Sequence, residues 1–405
     1  GELGNCNTTA FYPFYQTMPT GVENSGWLIN GKKPNTASAP GIVSAEMTWE
    51  TVRSWNIGFD FGLLNNRLTG SFDYFVRNTL DMIGPAPQLP ATLGATVPKV
   101  NNADMKAWGF EVEVSWRDRI KDFNYGVKFV LSDDQRKVTR YPNEELNRNQ
   151  WYAGRMDGLV WGYETVGIAK TDAEMEAHLA SLPNGGQSQL GSKWAAGDIM
   201  YKDLNGDGKI SSGDGTLNDL GDLKVVANTQ LRFKYGLTLD ASWKGFDFSA
   251  FFQGVGKRDV VVGGPYFWGA NGQGMWQAAA FKDHMDYFRP EDTESVFGPN
   301  VDAYYPRVIF GGGSSEGGKN TLTQSRYVQN GAYIRLKNLQ LGYTLPSTIT
   351  KKFAVNSLRV YVSGDNLWTG TKMRVFDPEV LGSTGDAGKA YPLARVWSVG
   401  LNVNF

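Results

Sequence analysis

The chain has 405 residues, 40 Lys and Arg against 41 Asp and Glu for a net charge of −1, 49 glycines and 13% aromatics. That balance excludes a nucleic-acid binder working through bulk charge. The single cysteine, Cys6, excludes an internal disulfide framework or a multi-thiolate metal centre, and two histidines, His178 and His284, thin the field of catalytic and zinc chemistry.

No run approaches about 18 consecutive apolar residues, so no transmembrane helix is expected. The opening Gly1-Glu2-Leu3-Gly4-Asn5, without a methionine or apolar leader, reads as a mature or internal start. Residues 1–50, rich in Gly, Pro, Asn and Thr, read mostly as a loop. Strict alternation begins next: Ile57, Phe59, Phe61 and Leu63 interleave with Asn56, Gly58, Asp60 and Gly62 in a strand over 51–63. An Asn65-Asn66 turn leads to a strand over 67–79, and a long connection, 80–104, follows. Phe110, Val112, Val114 and Trp116 mark a strand over 105–118, and Tyr125, Val127, Phe129 and Leu131 one over 123–138. Beyond the very long connection 139–229 come strands over 230–242 and 246–256, joined tightly. The connection 257–325 precedes a strand over 326–345, and 355–370 and 394–405 complete the set, separated by 371–393. A period of two with one apolar face is the signature of a half-buried strand.

The nine strands alternate tight and long connections, as outer-membrane barrels do, with short periplasmic turns and long extracellular loops. The expectation is an all-β transmembrane antiparallel barrel in a bacterial outer membrane, with 80–104, 139–229, 257–325 and 371–393 outside. Tryptophans support it: Trp116 and Trp243 sit at the short-turn ends, while Trp55, Trp108, Trp368 and Trp397 sit at the opposite ends. Two aromatic girdles at two water–lipid interfaces have that form. Asp60, Glu111, Glu113, Lys128, Asp240 and Asp247 fall on the opposite parity and read as a polar lumen rather than acid–base pairs. Bacterial single-chain barrels use an even number of strands, and an open sheet in lipid leaves backbone edges unpaired. Nine strands therefore read as the C-terminal portion of a larger barrel.

Several stretches resemble the SusC/RagA family of TonB-dependent outer-membrane transporters of Bacteroidetes. They are Leu63–Tyr74 (LLNNRLTGSFDY), Ala107–Val112 (AWGFEV), Gly162–Ile168 (GYETVGI), Gly197–Gly208 (GDIMYKDLNGDG), Trp243–Phe248 (WKGFDF), Tyr333–Asn338 (YIRLKN) running to Leu341–Pro346 (LGYTLP), and Tyr391–Arg395 (YPLAR). The resemblance implies a barrel of about 22 strands, filled by an N-terminal plug and capped by a SusD-like surface lipoprotein. It also implies coupling to the TonB complex through N-terminal parts that this sequence lacks.

Few residues could carry chemistry. Asp203, Asn205 and Asp207 fall at positions one, three and five of an EF-hand-like calcium loop, with Gly208 at six, Lys209 offering a carbonyl at seven and Ser211 at nine. Hard oxygens around a sharp glycine turn suit calcium, although Asp214 replaces the bidentate Glu at twelve. The competing reading is a polar turn closed by its own side chains. Trp151, Tyr152, Trp161 and Tyr163 cluster in one long loop, and Tyr266, Phe267, Trp268 and Trp276 in another. Aromatic faces suit sugar rings and protein interfaces; packing of the loops themselves is the bland alternative and the favoured one for any single residue. Thr171 and Glu174 fit a capping box opening a short helix through Leu182, on which His178 reads as solvated. Neither histidine has the partners of a catalytic triad, so no enzyme is expected.

Three functions compete: TonB-dependent import of oligosaccharide, import of peptide by the same machine, and a non-transporting surface barrel whose calcium-braced loops bind partners. Glycan import has a small edge, because loop aromatics outnumber loop cationic clusters.

Overall fold

The computed structural model describes residues 15–18, 20–22, 28–37, 40–44, 47–86, 90, 92, 97–271, 280–310, 315–381 and 390–405. Backbone contacts divide the chain into two compact units. One is residues 1–56, 75–108 and 136–156; the other is 57–74, 109–135 and 157–405.

Nine strands form one sheet: β1 (Thr51–Leu63), β2 (Leu68–Ile83), β3 (Asn101–Ile120), β4 (Phe123–Arg140), β5 (Arg232–Trp243), β6 (Phe246–Lys257), β7 (Tyr333–Thr344), β8 (Ser357–Thr371) and β9 (Val396–Asn404). Each strand lies beside its neighbours in sequence, from β1 at one edge to β9 at the other. Lengths run from 9 residues in β9 to 20 in β3, enough for a tilted crossing of a bilayer. Among the described residues no helix is long and apolar enough to cross a membrane. Crossing falls to the strands.

The alternation seen in the sequence becomes two faces. In the larger unit, Ile57, Phe59, Val127, Phe129, Trp243, Phe248, Val360, Trp397, Val399 and Leu401 are exposed, and all sit on the apolar parity of their strands. A water-soluble sheet would have to cover such a row, since burial of apolar area drives packing; hydrocarbon is its natural solvent. The other face carries charge. Lys128 pairs with Glu113 at 2.7 Å, and Arg359 donates to Asp247.

The sequence reading differs in that β2 runs on to Ile83 and β3 begins at Asn101, shortening the 80–104 connection, and most at one further strand. The run 326–345 is interrupted: a short strand Val328–Asn330 pairs with Asp259–Val261, and β7 begins only at Tyr333. The Asn330 side chain accepts the Ala332 amide at 2.9 Å, while the Gly331 amide turns to the Arg258 carbonyl at 2.8 Å. This Asx turn breaks the ladder.

The long connections have a core of their own. Leu159–Tyr163 pairs with Leu223–Asn228, and Thr165–Ile168 with Ile199–Tyr201. Tyr163, Ile199, Tyr201, Ile210, Phe267, Trp268, Tyr305 and Tyr327 cluster there in one buried core. The helix α1 (Asp172–Ala180) starts where its capping residues predict: the Glu174 amide donates to Thr171 Oγ1 at 3.1 Å. In the smaller unit, Arg140 clamps two strands, donating to Asp104 at 2.7 and 2.8 Å and to Asp81 at 2.8 Å.

Candidate functional site

The stretch Gly197–Gly208 has a double role. Asp198 is fully buried and serves as a hub. It accepts from Arg307 Nε and Nη2 at 2.6 and 2.8 Å, from Asn320 Nδ2 at 2.9 Å and from the Ala195 amide at 3.0 Å. The fully buried Lys319 ammonium lies 2.9 Å from it and 3.1 Å from Glu316, 4.4 Å above the Trp194 ring. Ile199 and Tyr201 then enter the core, and Asp203 opens the oxygen-rich turn. The hub ties the 139–229 connection to the 257–325 connection. Sequence reasoning missed it, because Arg307, Lys319 and Asn320 stand more than a hundred positions away.

In the candidate calcium loop each acidic side chain closes a turn. Asp203 accepts the amides of Gly206 and Gly208 at 2.6 and 2.9 Å, Asn205 that of Asp207 at 3.0 Å, and Asp207 that of Lys209 at 3.1 Å. Ser211 Oγ accepts the Gly213 amide at 3.3 Å and Asp214 the Thr216 amide at 2.7 Å. Gly208 has φ 76°, the left-handed turn the loop pattern requires. Beneath lies a carboxylate the sequence reading did not include. Asp222, fully buried, accepts the amides of Leu204 and Ser211 at 2.7 Å each. Burial pushes its carboxyl above the usual range, against those two hydrogen bonds, and the nearby charges of Asp203 and Asp207 push the same way. Among the described residues no three His, Cys, Asp or Glu side chains converge as a metal cluster would require. The donor chemistry fits a hard cation; the side chains as placed face their own backbone amides.

The loop aromatics go to different places. In the smaller unit, Trp151 is 39% exposed, 5.8 Å from the Tyr141 ring, and Tyr152 lies beneath the Arg155 guanidinium. In the larger unit, Tyr163 and Trp268 are buried in the loop core, where Tyr163 meets Tyr201 at 5.2 Å and Trp268 meets Tyr327 at 4.7 Å. Trp161 sits in a short strand with its indole nitrogen buried and without a hydrogen-bond partner among the described residues. Tyr266, 41% exposed, stacks on Phe281 at 5.7 Å. Trp276 lies outside the described residues. Trp151 and Tyr266 therefore offer open faces, while Tyr163 and Trp268 serve the core.

His178 is half-buried rather than solvated, with Nε2 3.2 Å from Gln187 Oε1, and burial lowers its pKa below the usual value. The helix packs Met175 inward, which draws the residue one turn later toward the loop core. His284 is buried in a structural role: Nδ1 accepts the Phe281 amide at 3.0 Å, and Nε2 points at the carbonyls of Tyr266 and Phe267 at 3.1 Å.

Comparisons with known proteins agree with this architecture. The chain is 27% identical to TonB-dependent receptor P3 of Formosa agariphila over 402 residues, 93% of this chain and 36% of that protein. It is 23% identical to TonB-dependent receptor SusC of Bacteroides thetaiotaomicron over 373 residues, 91% of this chain and 33% of that one. In three dimensions it superposes on a chain of the RagAB peptide transporter with a TM-score of 0.67 at 22% identity, covering 97% of this chain and 39% of the other. The chain thus spans little more than a third of the length of these relatives. The sequence model of the family described as "TonB dependent receptor-like, beta-barrel" matches residues 10–242. With the exposed apolar face, the long loops and the nine consecutive strands, the chain belongs to the TonB-dependent receptor-like β-barrel family of the outer membrane.

Proposed function

We propose that the protein is part of a SusC-like TonB-dependent importer that works under a surface lipoprotein lid and moves oligosaccharide across the outer membrane. The observation that carries import is the division of the sheet into an exposed apolar face and a charged face, which suits a wall between lipid and a filled lumen. For glycan specifically, the support is the open rings of Trp151 and Tyr266 in the long loops. Peptide import is the second reading, favoured by a cavity of about 590 Å³ on the charged face that sets Val130, Phe251 and Val255 beside Lys234, Arg258 and Glu379. The loop 203–214 enters the proposal as a calcium brace: Asp203, Asn205, Asp207, Ser211, Asp214 and the Lys209 carbonyl would hold the ion, which would relieve the mutual repulsion around Asp222. No catalytic step belongs to this reading.

Cells making the whole protein decide it. Uptake of labelled oligosaccharide that stops when the proton gradient is collapsed, with a lipoprotein co-purifying, is the expected result. Uptake of peptide alone selects the second reading. Surface binding that persists without any gradient-dependent uptake overturns import in favour of a passive binding barrel.

A further inference from the structure

The short connections of the sheet, 64–67, 121–122, 244–245 and 345–356, all belong to the larger unit. They stand in a row at one end of it. Trp243 pairs with both Phe246 and Phe123, the Gly245 carbonyl accepts the Thr344 amide at 2.8 Å, and the Arg67 carbonyl accepts the Arg117 amide at 2.8 Å. In outer-membrane barrels the short turns face the periplasm. The charge of this row is one-sided: Arg67, Lys121, Lys244, Lys351 and Lys352 stand against a single acid, Asp122, and all are exposed. The connection 141–231 has the opposite bias, with 13 acids against 7 lysines and arginines. Arg67 has Asp118 at 3.3 Å; among the described residues no carboxylate pairs with the four lysines.

Each turn also sets apolar surface beside its cation. Leu64 precedes Arg67, Ile120 precedes Lys121, Trp243 precedes Lys244 and Phe353 follows Lys352, each at least half exposed. Trp243 lies on the apolar parity of β5, so this surface continues the hydrocarbon-facing row, and Lys244 Nζ lies 5.4 Å from the centre of its ring. Amphipathic rings and lysine stems settle at the level of lipid headgroups.

We propose that this row of turns binds the anionic headgroups of phospholipids in the periplasmic leaflet. The repeated pairing of apolar side chain with cation matches a molecule that offers acyl chain and phosphate together. Lipid is favoured over a periplasmic protein because the apolar members continue a face already in hydrocarbon and need no second cover. A zwitterionic headgroup brings its own cation to its phosphate, so the unpaired lysines select headgroups of net negative charge. The inference rests on the place of this family in the outer membrane and is independent of what the barrel imports.

The test reconstitutes the whole protein in phosphatidylcholine vesicles containing spin-labelled phosphatidylglycerol or spin-labelled phosphatidylcholine. Electron paramagnetic resonance reads the fraction of each label held at the protein surface. One lysine beside an anionic headgroup favours it about fivefold. Averaged over sites with and without a cation, phosphatidylglycerol should be held about twofold or more over phosphatidylcholine. Salt at about 1 M, where the screening length falls to about 3 Å, should bring that ratio toward one. Lys121→Gln, Lys244→Gln, Lys351→Gln and Lys352→Gln together should do the same at low salt. Lys193→Gln with Lys282→Gln, two exposed lysines of the long connections, should leave it unchanged. A heat-dependent shift in gel electrophoresis shows whether the fourfold variant has folded; if it has not, Lys351→Gln with Lys352→Gln alone should give a partial fall. A parent ratio of one, a ratio unmoved by salt, or a folded variant that keeps the parent ratio overturns the lipid site. In the last case the basic row is left to a periplasmic protein.

Discussion

Asp198→Asn isolates the hub that joins the two largest connections. The substitution keeps shape and removes charge. Arg307 is 33% exposed and can turn to water, but Lys319 is 0% exposed and cannot. Breaking a buried ion pair from one side costs about 3–5 kcal/mol, because the surviving charge is left without compensation. Glu316 still lies 3.1 Å from the ammonium, which puts the expectation at the lower end. About 3 kcal/mol corresponds to roughly a hundredfold rise in local opening. Amide hydrogen exchange at Ile199 and Tyr201 reads this directly, since their N–H groups donate to Asn320 at 3.0 Å and Gln187 at 2.6 Å inside the same cage. The wall strands should keep their protection, because sub-global units open separately. Adding Lys319→Met to Asp198→Asn should recover part of the loss. Unchanged exchange at Ile199 refutes the reasoning, as does a double variant whose loss equals the sum of the two single losses.

Three further outcomes follow from the loops. The Ser192 hydroxyl and amide, aided by Lys319, hold the Glu316 carboxyl at about 2. A carboxyl lowered in the folded state stabilises above its unfolded value near 4.3 and loses that contribution as the pH falls toward 2. Glu316→Gln should therefore weaken exchange protection around Ser192 at pH 7, and the gap to the parent should close only below about pH 4. His178 is lowered by burial, so protonation opposes the native helix: protection of α1 should fall as the pH drops through about 6.5, and His178→Asn should flatten that profile. Calcium should raise protection across 203–214, and Asp207→Asn with Asp203→Asn should abolish the response. A loop equally protected in chelator and in calcium would leave the turn as a self-closed polar one.

The strands were legible because each had only to satisfy a period of two against two solvents. Leu358, Val360 and Val362 announce β8 without reference to any distant residue, and β8 spans Ser357–Thr371. The ends slipped where side chains intervene locally, as Asn330 does before β7. The loop chemistry resisted reading for the opposite reason. Asp198 is one aspartate in an unremarkable string until Arg307, Lys319 and Asn320 arrive from more than a hundred residues away. Asp222 could have been suspected, since it follows the oxygen-rich turn closely, but nothing local says that its carboxylate is the buried floor.

The aromatics expose the limit most clearly. Trp268 and Tyr266 stand two positions apart in the same glycine-rich run, yet one is 6% exposed and the other 41%. Residue type predicts that both seek apolar contact, and only the packing of Phe267 between Tyr305 and Tyr327 decides which ring faces the core. An argument from aromatic content toward glycan therefore weakens with each ring the core claims. Of the aromatics singled out in the sequence, it narrows to Trp151 and Tyr266. Substituting these two by Ala should lower capture of oligosaccharide by the whole protein while leaving exchange at Tyr201 unchanged. If capture persists undiminished, the aromatic basis for the glycan reading fails, and the cavity that sets Val130, Phe251 and Val255 beside Lys234, Arg258 and Glu379 becomes the stronger guide to what the barrel carries.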